Sequence, residues 1–271
     1  MSSDLRLESL FKVKGKIVLI TGGGSGIGKM IATGFAQNGA KVYIAARKEN
    51  QLKEATAEIN KVATGPKADY IVANVGSKAG CNALIAEFRK RENKLHVLVN
   101  NSGITWGGPF LDFPEEKGWD NVFNVNVKSI FYSMLSDLLA KDSTNLDPGR
   151  VINISSTASV EPGSEGALSA EGNGTWSSKA LALTLLIFYS SVNAICPGLF
   201  PSKMTAYGLK TAGEEAFNAG QPTGRFGQPS DIAGLALFLA SPASAHVTGT
   251  HTLLDGGSRY LHHRIAPALK L

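Results

Sequence analysis

Short apolar runs alternate with longer stretches of helical period along most of the chain. KIVLIT (16–21) is followed by GIGKMIATGFAQNG (26–39), KVYIAA (41–46) by ENQLKEATAEINKVA (49–63), DYIVANV (69–75) by KAGCNALIAEFRKREN (78–93), and LHVLVNN (95–101) completes the first half. The short runs are rich in Val and Ile and nearly continuous in apolar character, as strands covered on both faces are. The second half predicts a helix over 119–140, a strand RVINIS (150–155), a strand VNAIC (192–196), a helix QPSDIAGLALFLA (228–240) and a last strand within HTLLDGG (251–257). Pro229 falls in the first turn of its helix, where a missing N–H costs nothing. Strand and helix in this alternation predict an α/β fold, a doubly wound parallel sheet of about seven strands with helices on both faces. No repeat or low-complexity linker interrupts the pattern, so residues 1–271 are read as one domain.

Composition narrows the class. Apolar residues make up 43% and charged residues 18%, which suits a packed core and excludes extensive disorder. Cys81 and Cys196 stand far apart with no Cys or His at ligand spacing, so neither a disulfide framework nor a metal site is expected. The N-terminal MSSDLRLESLFKVKGK has no signal-like apolar run, no stretch is long enough to span a bilayer, and a soluble, cytoplasmic protein is expected. The terminal LKL differs from a peroxisomal SKL by a bulky leucine in place of a small residue. The net charge of +5 is scattered among acidic residues rather than gathered in a stripe. A small anionic ligand accounts for it, and neither nucleic acid nor membrane is expected as a partner.

The first strand-to-helix junction reads Thr21-Gly22-Gly23-Gly24-Ser25-Gly26-Ile27-Gly28. Glycines there let the backbone turn sharply and approach a pyrophosphate, and the helix that follows offers unpaired N–H groups and the positive end of its dipole. The spacing is T-G-x-x-x-G-x-G rather than G-x-G-x-x-G, and no Lys-Ser/Thr pair follows, which excludes a P-loop. Gly22, Ser25, Gly26, Ile27 and Gly28 are therefore the expected phosphate loop of a dinucleotide. At the end of the second strand, where an acidic residue would hold the ribose of NAD, the chain has Arg47. Its planar fork of donors suits a 2′-phosphate and predicts NADP as the cofactor.

TGGGSGIG (21–28), NNSG (100–103), VFNVNVKSIF (122–131), RVINISS (150–156), SKAL (178–181), VNAICPG (192–198) and LLDGG (253–257) together resemble the short-chain dehydrogenase/reductase family, in order and over nearly the whole chain. PGLFPSKMT (197–205) and GRFGQPSD (224–231) are similar to its branch of fungal and rhamnolipid-biosynthesis-type 3-oxoacyl reductases. The resemblance implies a Rossmann-like domain with a substrate lid inserted at about 199–226, a homodimer or homotetramer, and hydride transfer between nicotinamide and a ketone or secondary alcohol. It places the catalytic asparagine at Asn126, the carbonyl-polarising serine at Ser156, and the lysine that grips the nicotinamide ribose at Lys179. It further implies that Asn74, Val75, Asn101, Ser102 and Gly103 lie along the adenosine half of the cofactor and that Pro197 and Gly198 line the nicotinamide.

One position departs from the pattern. The family's proton-donating tyrosine lies four residues before the lysine, and here that residue is Thr175, whose hydroxyl ionises far too reluctantly to replace a phenol. The segment after Lys179 is short and apolar; as a helix, 177–188 would span about 18 Å, enough to match a five-residue strand of about 17 Å. Three readings stay open: an active reductase, a cofactor-binding homologue with impaired catalysis, and a local deletion from an incorrect gene model. Tyr189 is too far along such a helix from Lys179 to substitute, and Tyr207, in the lid, is the remaining candidate.

Overall fold

The computed structural model describes residues 4–106, 114–133, 135–157, 190–202, 215, 218 and 221–260. Seven strands, β1 (Ile17–Thr21), β2 (Lys41–Ala46), β3 (Asp69–Val72), β4 (Val97–Asn100), β5 (Gly149–Ile154), β6 (Ser190–Pro197) and β7 (His251–Leu254), form one sheet in the order β3-β2-β1-β4-β5-β6-β7. Every neighbouring pair is parallel. After a short α1 (Leu7–Leu10), α2 (Gly26–Gln37), α3 (Glu49–Val62) and α4 (Lys78–Arg89) make the crossovers between the first four strands, and α7 (Pro229–Ala240) precedes β7. The chain builds outward from β1 to β3, then returns to β4 and builds the other way. That reversal opens a crevice beyond the carboxyl ends of β1 and β4.

Burial explains the nearly continuous apolar character of the strands. Val18 and Ile20 face a core shared with Ile31 and Phe35 of α2, Leu52 and Ile59 of α3, and Ile232 and Leu239 of α7. Between them, Leu19 points the other way into a second core with Leu98, Val151, and Leu84 and Phe88 of α4. Neither face of β1 meets water, so no polar alternation survives in its sequence. On the first face, α2 and α7 meet through Gly34, where an added β-carbon would lie 2.6 Å from that of Ala233.

Two departures from the sequence expectation have a visible physical cause. The run 69–75 is a strand only to Val72, because its sole neighbour β2 ends in register at Ala46; Ala73 N–H makes a last bond to the Ala46 carbonyl at 2.9 Å, and the chain then turns. The single helix expected over 119–140 starts earlier and is broken. Wide π-type turns at Glu115–Asp120 and Asn124–Lys128 alternate with α-helical Asn121–Phe123 and Ser129–Tyr132, together α5, and a separate α6 follows at Ser136–Ala140. Ser129 Oγ donates to the Val125 carbonyl at 2.6 Å and Ser133 Oγ to that of Ser129, bonds back to the preceding turn that bend a helix.

Candidate active site

The glycine-rich loop turns where glycine is needed. Gly22 has φ +68° and Gly26 φ +52°, the left-handed region that side chains with a β-carbon disfavour. Space is as restrictive as conformation: a β-carbon on Gly22 would stand 2.7 Å from Asn101 Nδ2, and one on Gly28 would stand 2.5 Å from the Gly22 carbonyl oxygen. Ser25 is the N-cap of α2, and its side chain makes no capping bond to the N–H groups of the first turn. An uncapped helix start of twelve residues behind a glycine loop is chemically suited to a phosphate. Ile27 packs partly into the first core, which fixes the helix start on the sheet.

Asn101 locks this loop to the end of β4. Its side-chain amide donates to the carbonyls of Thr21 at 3.0 Å and Gly22 at 3.2 Å. The Thr21 hydroxyl in turn accepts the backbone N–H groups of Asn101 and Ser102, both at 3.1 Å. The two loops flanking the switch point are thus one hydrogen-bonded unit, and the donors of the Asn101 side chain serve protein carbonyls.

Arg47 follows β2 directly, is exposed, and makes no ion pair among the described residues. It adjoins the start of α3, whose N-cap Lys48 also makes no side-chain capping bond. Asn74 is exposed beyond β3, and its Oδ1 accepts the Gly76 N–H at 3.1 Å, while the Val75 side chain is buried in the second core. The loop 73–76 adjoins Arg47, because the Ala73–Ala46 bond joins the two strand ends.

On the other side of the crevice, Asn126 lies within the second π-type turn of α5. Its Oδ1 accepts the Ile104 N–H and its Nδ2 donates to the Ile104 carbonyl, both at 2.9 Å, tying α5 to the loop that carries Ser102 and Gly103. Ser155 N–H still bonds the Ile195 carbonyl of β6 at 2.8 Å, so Ser156 is the first residue beyond the ladder and sits at a carboxyl strand end. Pro197 ends β6, and Gly198 approaches Asp255 so closely that a β-carbon would lie 2.8 Å from its Cα. Lys179, Thr175, Tyr189 and Tyr207 lie outside the described residues.

All the other expected site residues therefore lie on or beyond the carboxyl ends of the strands, on both sides of the switch point. Three contributors carried no expectation. The Thr21 hydroxyl holds the two central loops together; Asn100 donates to Asn153 at 2.9 Å in a buried amide pair joining β4 to β5; and Cys81 touches the loop after β3. The sequence signal for the first two was a polar residue closing an otherwise apolar strand.

Residues 22–259 match the family described as Enoyl-(Acyl carrier protein) reductase. The rhamnolipids biosynthesis 3-oxoacyl-acyl-carrier-protein reductase of Pseudomonas aeruginosa is 35% identical over 258 residues, covering 93% of this chain and 99% of the relative. The 3-oxoacyl-acyl-carrier-protein reductase FabG of Thermotoga maritima is 32% identical over 248 residues, covering 91% of this chain and 98% of its own length. A solved structure described as the Pseudomonas aeruginosa RhlG/NADP active-site complex superposes with a TM-score of 0.83 at 36% identity, covering 92% of this chain and 98% of the other. With a family match over residues 22–259 and relatives above 30% identity along nearly their whole length, the chain belongs to the short-chain dehydrogenase/reductase family.

Proposed function

We propose that the chain is an NADP-dependent oxidoreductase that moves a hydride between the nicotinamide and a ketone or secondary alcohol, with a 3-oxoacyl compound as the substrate class. One observation carries the reading: the uncapped start of α2 sits behind a glycine loop at the switch point, and Arg47 stands exposed at the adjoining strand end. The first offers N–H groups to a pyrophosphate, and the second offers a forked cation to a 2′-phosphate. The names of the relatives, two 3-oxoacyl reductases and a complex with NADP, support the substrate class and the cofactor.

When bound, the nicotinamide supplies or accepts the hydride. Ser156, just past β5, is proposed to donate a hydrogen bond to the substrate oxygen, and Lys179 to hold the nicotinamide ribose. Asn126 is proposed to fix the helix and loop that bound the site, since both ends of its amide engage Ile104. Asn74, Val75, Ser102 and Gly103 are proposed to border the adenosine half, and Pro197 and Gly198 the nicotinamide. We further propose a lid at about 199–226 and a cytoplasmic homodimer or homotetramer. Thr175 favours a second reading, in which NADP binds without turnover.

Titration of the purified protein with NADPH and NADH, read by nucleotide fluorescence, tests the cofactor. NADPH is expected to bind at least about tenfold more tightly, the least that charge-assisted bonds to one phosphate supply; absence of NADPH binding refutes the proposal. Oxidation of NADPH with acetoacetyl-coenzyme A or another 3-oxoacyl thioester then separates the readings. Turnover establishes the reductase, and binding without turnover over a ketone panel establishes the second reading.

A further inference from the structure

We infer that Cys81 is a positioning residue of the dinucleotide site, its thiol holding in place the loop 73–76 beside Arg47. The inference rests on the cofactor reading above and adds to it a residue that never touches the ligand.

The contacts are specific. Two consecutive carbonyls of the loop meet the first turn of α4. The Asn74 carbonyl oxygen occupies the space where any side chain at position 80 would begin, so Gly80 is required there. One residue further along each segment, the buried Cys81 thiol donates to the Val75 carbonyl at 3.4 Å. Burial also pushes the thiol's pKa upward, so the proton that makes this bond is retained at neutral pH. Ser133 Oγ lies 3.9 Å from the same sulfur; its own proton goes to the Ser129 carbonyl, so this is a packing contact that seats the thiol against the end of α5. The loop meets α5 at a second point, because a β-carbon on Gly76 would fall 3.2 Å from Val125 Cγ2.

The thiol therefore stands where the loop after β3, the first turn of α4 and the end of α5 converge. The loop is also tied to β2 by the bond from Ala73 N–H to the carbonyl of Ala46, the residue before Arg47. In the strand order, β3 and β2 lie on the side of the switch point away from β5 and β6. A perturbation at Cys81 should therefore reach the adenosine half of the cofactor and spare the nicotinamide half. A thiol is a weak donor, but a buried carbonyl that loses its partner is costly.

The experiment compares Cys81→Ala, which removes the donor, with Cys81→Ser, which keeps one, against the unmodified protein. NADPH and reduced nicotinamide mononucleotide, which lacks the adenosine half, are titrated against each, and hydrogen exchange of the unliganded proteins is followed across residues 73–76. Expected for Cys81→Ala are NADPH binding weaker by about two- to fivefold, mononucleotide binding unchanged, and faster exchange confined to the loop, with Cys81→Ser restoring all three toward the unmodified values. Unchanged NADPH affinity overturns the inference, whether or not exchange quickens. Equal weakening of both ligands without rescue by serine also overturns it, since that pattern marks a general loss of packing. Should the unmodified protein bind neither nucleotide, the cofactor reading fails, and the inference about the site fails with it. Loop exchange unchanged in Cys81→Ala would instead overturn the positioning role alone, leaving that reading intact.

Discussion

Gly28 and Asn101 illustrate how one atom's worth of space fixes the site. A β-carbon on Gly28 would meet both the Gly22 carbonyl and Asn101 Nδ2, and that amide already donates to the carbonyls of Thr21 and Gly22. Gly28→Ala is expected to destabilise the fold by about 1–3 kcal/mol, as overpacking of a fixed site does, and to weaken NADPH binding by moving the loop. Asn101→Ala removes two donors and is expected to cost a similar ~1–3 kcal/mol. Because the substituents collide, the double variant should be more stable than the sum of the single losses, though the Gly22 carbonyl still resists the new methyl group; urea unfolding of the four proteins measures the coupling. Arg47, by contrast, makes no ion pair or side-chain hydrogen bond among the described residues. Arg47→Ala should weaken NADPH by about ten- to a hundredfold, the loss of charge-assisted bonds, while NADH affinity and unfolding stay as they were. A variant that kept its preference for NADPH would remove Arg47 from the phosphate site.

Among the elements, α5 is where local sequence and tertiary contacts diverge most. Its expected form was one regular helix, yet two wide turns interrupt it, and Asn126, inside the second, takes both the N–H and the carbonyl of Ile104. Asn126→Ala leaves those two groups without their partner and is expected to cost about 1–3 kcal/mol. Exchange at Ile104 should quicken, and the turn should tighten toward a regular helix; thermal unfolding and a crystal structure of the variant would register these changes. The bond joins residues 22 apart, a pairing that no hydrophobic period encodes. The strands were legible because both of their faces are buried, as Leu19 between Val18 and Ile20 shows, and the phosphate loop was legible because only glycine fits its turns. The carboxyl end of β3 was not, since where a strand stops depends on its neighbour β2 rather than on the apolar run 69–75. The Thr21 hydroxyl and the Cys81 thiol escaped notice for the same reason: their partners, at Asn101 and Val75, are set by the strand order and by the packing of α4.

Across the whole molecule, the two ends of the parallel sheet do different work. Loops at the carboxyl end build the candidate site, while charged groups at the amino end knit the strands together. Lys16 Nζ pairs with Asp147 at 2.7 Å, and the fully buried Arg150 donates to the Ser241 carbonyl at 3.0 Å, joining β5 to the end of α7. Between β1 and β4, His96 Nδ1 accepts the Ile17 N–H at 2.9 Å, a bond that only the neutral form of that nitrogen can make. Burial, helped by the nearby Lys94 and Lys16 and opposed by Asp147 and Glu92, lowers the imidazole pKa from 6.5 to about 4. The unfolded chain takes up this proton near pH 6.5 and the folded chain only near pH 4, so the folded state binds fewer protons in between. Stability from His96 is therefore full above pH 6.5, drains as the pH falls toward 4, and is gone below. Carboxylates such as Asp231, held low by Arg225, lose their own contribution at more acid pH, so a difference measurement is needed to isolate the histidine. His96→Asn keeps an acceptor and removes the titration; its stability, from urea unfolding at successive pH values, should fall less steeply than that of the unmodified protein between pH 6.5 and 4, and parallel curves would refute the assignment. Saturating NADPH is proposed to bind at the opposite end of the sheet. It should raise both proteins by the same amount at each pH, about 2.7 kcal/mol at a hundredfold excess over Kd, so the two ends of the sheet report independently in one experiment.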